Sequence, residues 1–456
     1  MKPPLSTLLD LAASGALRWK QFVSNSPLRR LGESTLASAS ANAAARFAGF
    51  LKEIVVASAF GLADGVDVYL VAFVVIGFPL GLMLNAIQTA LVAELAAHRG
   101  NVQVEAQLYG TTAAATLLVA VAALPLWFFA LHFLLPLFAS GFPATKLETL
   151  RWALFALLPY TVLNTINVLA YSVIQAHHRY FLRGILPSIT PIATAIVVLV
   201  GARLGALEIL ILSLIVGTVA ECIAVHAVLR SVGLRFRVDT SAAPFRLVVR
   251  ASLLLLPGTV FMAIGPLVEQ AIAASLERGT VSSLGYGNRI PTAISGVLVS
   301  AIGTTALPHF AVFLAKGDRA YCLHALRRLT VWFLGTGFVV GLVLALASEP
   351  IIRLFFERGA FDAASTARVA PVQQAYFLQL PVALVATLSA RALAAAGGHH
   401  QISVVTVISI VLQIMLAWTL GIHFGAAGIA WAATIATAVA ALAYYQLSIR
   451  RLRLSA

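Results

Sequence analysis

The feature that most constrains this chain is a series of apolar stretches running from residue 36 to residue 448. Each is about 20 residues or longer, the length at which a helix rising 1.5 Å per residue crosses the hydrocarbon of a bilayer. Twelve stretches qualify: 36–60, 66–97, 106–137, 152–175, 184–202, 206–229, 247–275, 282–314, 329–348, 366–396, 402–422 and 426–448. Composition supports this reading. The chain is 60% hydrophobic and 11% charged, with a mean hydropathy of +0.94. Soluble domains carry roughly 25% charged residues, so water cannot be the solvent around most of this surface. Disorder is excluded as well, since disordered chains are polar. Backbone groups in lipid must be satisfied within the segment. The expected fold is therefore an all-α polytopic membrane protein.

The net charge of +14 would ordinarily point to a nucleic acid or another anionic partner, but its distribution explains it differently. Six basic residues fall in the odd-numbered connections: Lys146, Arg151, Arg203, Arg278, Arg353 and Arg358. Four lie within spans: Arg46, Lys52, Arg289 and Arg368. The other 21 of the 31 Lys and Arg fall in the N-terminus, the even-numbered connections or the C-terminus. Basic residues are retained on the cytoplasmic side. This split supports twelve spans with both termini in the cytoplasm and removes the need for a nucleic-acid partner.

Residues 1–33 contain LLDLAASGALRWKQFV, which is apolar but short and charged. It is expected to be a cytoplasmic or interfacial amphipathic segment. The basic connection around 231–246 separates a first lobe, 34–230, from a second, 247–449, and 450–456 reads as a basic cytoplasmic tail. The halves look related. AIQTALVAELAAHRG closes the second span and AIGTTALPHFAVFLAKG the eighth. Because six spans is an even number, the halves share one orientation. Parallel repeats of this kind enclose a cavity about an axis along the membrane normal. Proline and glycine punctuate several spans: Gly77, Pro79 and Gly81, Pro187 and Pro191, Pro257, Gly258, Gly265 and Pro266, and Pro291. Breaks are expected there.

Charges within spans are costly and each requires a reason. The first span carries Arg46, Lys52 and Glu53, and Asp67 follows near its outer end. Arg46 and Glu53 are seven apart and share a helix face, so Glu53 is placed to neutralise part of the positive charge. The seventh span holds Glu269 and Gln270, and the eighth opens with Asn288 and Arg289. Basic groups from both halves facing one cavity suit an anionic substrate such as a diphosphate. Glu269 admits two readings, a cation or proton site, or a partner for Arg289.

Other chemistries are not signalled. There is no GxxxxGK[ST] phosphate loop, so the work of transport is expected to come from a gradient: the substrate's own, a monovalent cation's or a proton's. No cofactor or metal site is expected. The pairs His177-His178 and His399-His400 lack neighbouring ligands, and Cys222 and Cys322 provide no disulfide framework. No enzymatic activity is expected.

The run ARFAGFLKEIVVASAFGLADGVDVYLVAF carries Arg46, Gly49, Lys52, Glu53, Phe60, Gly61, Asp67 and Tyr69. It resembles the first two spans of the MurJ/MviN family, lipid II flippases of the multidrug/oligosaccharidyl-lipid/polysaccharide (MOP) exporter superfamily. GTVSSLGYGNRIPTAISGVLVSAIGTTALPHF resembles that family's seventh-to-eighth span region, with Arg289 at the basic position. A third block, from RLFFERGAF to GGHHQ, resembles its following loop and tenth span. The resemblance implies two six-helix lobes around a central cavity in a bacterial cytoplasmic (inner) membrane. It implies an undecaprenyl-diphosphate-linked saccharide as substrate, membrane lipids around it, and other cell-envelope glycan assembly proteins as partners. It implies that Arg46, Lys52 and Arg289 face the diphosphate and that Asp67 shapes or gates the cavity. The in-span polar groups, read on their own, add Glu53 and Asn288 to the gating or cavity set and Glu269 and Gln270 as the expected site of ion coupling. There are two departures. The second span reads FPLGLMLNA, without the family's basic residues, and two further C-terminal spans are absent from the sequence. The competing readings are a cation-coupled exporter of small amphiphiles and a non-transporting scaffold for glycan assembly. In-cavity cations disfavour the first, and a scaffold has no need of in-span charges.

Overall fold

A computed structural model describes residues 27–138, 142–201, 205–233, 237–239 and 243–454. Residues 1–26, most of the expected amphipathic segment, lie outside the described residues. The helices are α1 (Pro27–Phe60), α2 (Asp64–Ala97), α3 (Val102–Phe138), α4 (Ala144–Ala156), α5 (Leu158–Ala176), α6 (Tyr180–Ile185), α7 (Ile189–Gly201) and α8 (Ala206–Ser231). They continue with α9 (Ala243–Ser275), α10 (Thr280–Ala315), α11 (Arg319–Leu346), α12 (Ser348–Phe355), α13 (Ala363–Ala395) and α14 (His399–Leu454). Among the described residues there is no strand, only one isolated bridge between Arg358 and Phe361.

The twelve apolar stretches map onto these helices with local differences. The helix of the first stretch starts at Pro27 and that of the seventh at Ala243, each earlier than hydropathy alone places them. Polar turns extend both beyond the hydrocarbon, and Pro27 suits a first helical position, where its missing N–H is not needed. The fourth stretch is a bent pair, α4 and α5, with a 42° break at Leu157. The fifth is α6 and α7 joined by a 3₁₀ turn, Leu186–Ser188, that contains Pro187. The eleventh and twelfth form one continuous element, α14, that reverses at Gly425 (φ 57°, ψ −138°). The reversal is tight enough that a Cβ on Gly428 would strike the Leu420 carbonyl. Arg451 Nη1 then donates to Gln401 Oε1 across the hairpin at 2.9 Å.

Six described helices are individually long and apolar enough to span a membrane, or eight when two bent pairs are each counted as one. Helix α14 counts once in that figure but holds two stretches. Exposed apolar side chains such as Leu118, Val200, Leu254, Val331 and Leu346 form the outer, lipid-facing surface.

Not every proline breaks its helix. Helices α9 and α10 run uninterrupted through Pro257, Pro266 and Pro291, whereas α2 bends by 48° between Gly77 and Gly81. A proline removes one donor, but the flanking ladder can persist.

Packing repeats between the halves. The second span packs on the fourth as the eighth packs on the tenth, and the fourth meets the sixth as the tenth meets α14. These interfaces rest on small residues. A Cβ on Gly217, Gly287 or Gly341 would lie 2.7–2.8 Å from a neighbouring helix. Lipid supplies no hydrophobic force between helices, so close backbone approach takes over that role. Helix α9 sits at the seam between the halves. It packs extensively on α2 and α3 as well as on α14, and one apolar cluster passes from Val66 and Val71 through Leu210 and Ile272 to Ile429.

Candidate functional site: an ion-paired cavity beneath an inter-lobe latch

Helix α1 presents its charges to α10. The Glu53 carboxylate is buried, and its Oε1 lies 2.9 Å from Lys52 Nζ and 2.6 Å from Arg289 Nη2. Arg289 comes from the other half of the chain and keeps 44% of its side chain exposed. Tyr69, Tyr286 and Ser282 surround this pair in a small pocket of about 20 Å³, the room of a single water. One to two turns further in, the Arg46 guanidinium lies against Gly296 of α10, 2.9 Å from where a Cβ would stand. Three cations and one carboxylate leave this surface with a net charge of +2. Glu53 thus pairs with both Lys52 and Arg289 and offsets one of the two charges, while Arg46 lies against Gly296.

Asp67 occupies a different place. It is 1% exposed. Its Oδ2 accepts the Gly279 N–H at 2.8 Å, and its Oδ1 accepts the Ser282 N–H at 3.0 Å. Those are unpaired donors at the start of α10, whose own N-cap, Gly279 (φ 81°), has no side chain to satisfy them. A carboxylate from the second span therefore caps the eighth, across the two halves. The helix dipole favours that negative charge. Around the cap, Lys146 lies 3.6 Å from Asp67 and 2.8 Å from Asp64, and Arg278 Nε lies 3.0 Å from Asp64. The Ala360 N–H donates to the Ser58 carbonyl at 2.8 Å, and Gly61 packs against the Ala360 carbonyl. The halves are joined at the Phe60 end of α1.

Glu269 is half-buried and hydrogen-bonded to the Gln413 amide of α14. Arg289 has Glu53 as its partner, so Glu269 does not pair with it. Gln270 is half-buried on α9 beside Glu269. Asn288 accepts the Thr292 hydroxyl at 2.7 Å and lines a separate cavity in the second half. Among the described residues no group of three or more His, Cys, Asp or Glu is placed to hold a metal ion.

Two buried acids were absent from the set of in-span charges read from sequence. Glu221 in α8 receives the Tyr171 and Thr190 hydroxyls, each at 2.5 Å, and Arg183 stacks 4.5 Å from the Tyr171 ring. Glu105, 1% exposed, lies 2.6 Å from His177 Nε2. Glu221 was open to the same cost argument as Glu53. Glu105 lies beside a span boundary, where that argument does not reach.

The family model described as lipid II flippase MurJ matches residues 56–456, most of the chain. The chain belongs to the MurJ family. Relatives in that family include a probable lipid II flippase MurJ of Rhizobium meliloti, 26% identical over 413 residues, covering 87% of this chain and 76% of the relative. The corresponding protein of Thermotoga maritima is 26% identical over 397 residues, covering 86% and 80%. Among solved structures, a lipid II flippase MurJ in an inward closed conformation superposes with a TM-score of 0.75 at 20% identity, covering 91% of this chain and 87% of that one. An inward-facing multidrug resistance MATE transporter of the MOP superfamily gives 0.59 at 12% identity, covering 90% and 95%. The fold is that of the superfamily, and the family is one of multi-pass membrane transporters rather than catalysts.

Proposed function

We propose that this MurJ family member moves an undecaprenyl-diphosphate-linked saccharide, lipid II or a related lipid-linked glycan, from the inner to the outer leaflet of a bacterial cytoplasmic membrane by alternating access. The observation that carries this reading is the placement of Arg46, Lys52 and Arg289, from both halves, along the facing sides of α1 and α10 within the membrane, with only Glu53 to offset them. Two phosphate charges match the residual +2, and the Arg289 fork suits a phosphate geometrically. A cavity for cationic drugs would need the opposite sign, so the superposition on MATE transporters supports the fold and not their cargo. The latch at the Phe60 end of α1 supports an inward-facing state. The direct test is reconstitution in vesicles with a labelled undecaprenyl-diphosphate saccharide. Protein-dependent loss of the label from the inner leaflet is expected, and a rate equal to that of protein-free vesicles rejects the reading.

Both termini are placed in the cytoplasm. Cysteines at Thr145 and Ala360, both exposed on the latch side, should react with an impermeant thiol reagent applied to intact cells. One at Val238, 54% exposed, should not. External labelling of Val238 with Thr145 protected reverses the orientation.

Glu269 is the proposed coupling site for a monovalent cation or proton. The support is a half-buried carboxylate in a span whose hydrogen-bonded neighbour is a neutral amide, Gln413, rather than a cation. Glu269→Gln keeps size and hydrogen bonding but removes the charge. Substrate binding should survive while flipping loses its dependence on the ion or proton gradient. Flipping that still tracks the gradient as in the parent eliminates the role.

A further inference from the structure

On the second-half side of α10, next to the cationic face, lies a cavity of about 260 Å³ between α10, α13 and the second arm of α14. Its polar lining is Asn288, Thr292, Ser295, Gln379, Thr387 and Thr437. None of the residues lining it is charged. The hydroxyl protons are already committed. Thr292 donates to Asn288 Oδ1 at 2.7 Å, Thr387 to the Ala383 carbonyl at 2.9 Å, and Thr437 to the Ala433 carbonyl at 2.8 Å. Those oxygens therefore offer lone pairs to the cavity. The Gln379 amide donates to Thr437 Oγ1 at 2.8 Å, leaving its carbonyl as a further acceptor. With the amide N–H groups of Asn288 and Gln379 and the Tyr376 hydroxyl beside them, this uncharged wall offers acceptors and donors without a cation, and it suits a ligand carrying several neutral hydroxyls and amides better than a bare anion. Polyhydroxylated rings have that character. Tyr376, also in the lining, adds an aromatic surface.

The position fits a two-part ligand. Arg289 and Gly296, the two points where α10 meets the cationic groups, are seven residues apart and share one face. Asn288, Thr292, Ser295 and Val299 lie roughly 60–120° around the helix from Arg289, on the adjoining face. A group bonded directly to a phosphate held by Arg289 would therefore reach the neutral cavity around one side of one helix. We propose that this cavity is the saccharide subsite, binding the sugar hydroxyls and amides of the transported lipid while the cationic face holds its diphosphate, an assignment that rests on the proposed lipid-linked substrate.

Thiol protection separates the two readings. On a background with Cys222→Ala and Cys322→Ala, one cysteine is placed in the neutral cavity as Ala383→Cys and another on the cationic face as Gly49→Cys, where a Cβ meets open space. In the purified full chain, millimolar N-acetylglucosamine should slow maleimide labelling of Ala383→Cys and leave Gly49→Cys unchanged. Inorganic diphosphate should do the reverse. Adding Thr292→Val and Thr387→Val, which preserve shape and remove the acceptors, should cut the sugar's protection by about tenfold, one to two hydrogen bonds. Diphosphate protection of Gly49→Cys in that variant reports that the protein is still folded. No protection of Ala383→Cys by sugar, or protection that survives both valines, overturns the subsite. Failure of diphosphate alone overturns the anionic-substrate reading and leaves the subsite standing.

Discussion

Arg289→Ala should abolish measurable flipping in reconstituted vesicles while the protein remains folded and inserted, and Arg289→Lys should restore only part of it. Arg289 combines two properties found together here: it contacts the buried Glu53 at 2.6 Å and still keeps 44% of its side chain exposed. A charge-assisted hydrogen bond to substrate contributes about 1.5–3 kcal/mol, which is roughly a 10- to 150-fold change in affinity for one phosphate contact. The loss extends further, because without Arg289 the net charge of the cationic surface falls from +2 to +1. Lysine restores the charge without the planar fork. Folding should suffer little, since Glu53 retains Lys52 at 2.9 Å and the arginine is partly solvated. The checks are flipping rate and thermal stability measured on the same preparation. A fully active, stable Arg289→Ala protein removes the guanidinium from the mechanism. Glu53→Gln should behave differently: it frees both cations, so the substrate is expected to bind more tightly and to leave more slowly.

Asp67→Ala should release the closed end of the molecule. Two backbone donors at the start of α10 would lose a charged acceptor at 2.8 and 3.0 Å, and Lys146 would lose one of its two carboxylates. At about 1.5–3 kcal/mol per charged hydrogen bond, the closed state is weakened by about 100-fold or more relative to one in which the halves separate there. Spin labels at Glu148 and Glu277 report this directly, because both side chains are solvent-exposed and lie on opposite halves. Their distance distribution should move to longer values in Asp67→Ala and part of the way in Asp67→Asn, which keeps one neutral acceptor. An unchanged distribution in Asp67→Ala shows that the latch does not hold the closed state. Arg278→Ala breaks only the pair with Asp64 at 3.0 Å, in which both partners are well exposed to solvent. It should have a much smaller effect.

The sequence alone determined the solvent and the number of apolar stretches, because span length is a one-dimensional property imposed by the bilayer, and the placement of its basic residues is what the proposed sidedness rests on. It also isolated Arg46, Lys52, Glu53, Asp67, Glu269 and Arg289, since an ionisable group in a span is costly wherever it points. Partnership was beyond its reach. Helical periodicity set Arg46 and Glu53 on one face, but only packing decides that Glu53 serves Lys52 and Arg289 while Arg46 rests on Gly296. Two readings of Glu269 stood level until the fold placed Gln413, not Arg289, against it. Asp67, expected to shape or gate the cavity, does line a cavity on the latch side, but its hydrogen bonds were not legible in the sequence. It is a helix cap because the first half of the chain brings a carboxylate to an N-terminus more than 200 residues away that ends in a glycine and has no cap of its own. The prolines of α9 and α10 leave their helices unbroken, since the neighbours that hold a helix together across a missing N–H are tertiary. Contacts between segments distant in sequence depend on which small residues let two helices approach, and that choice is made in three dimensions.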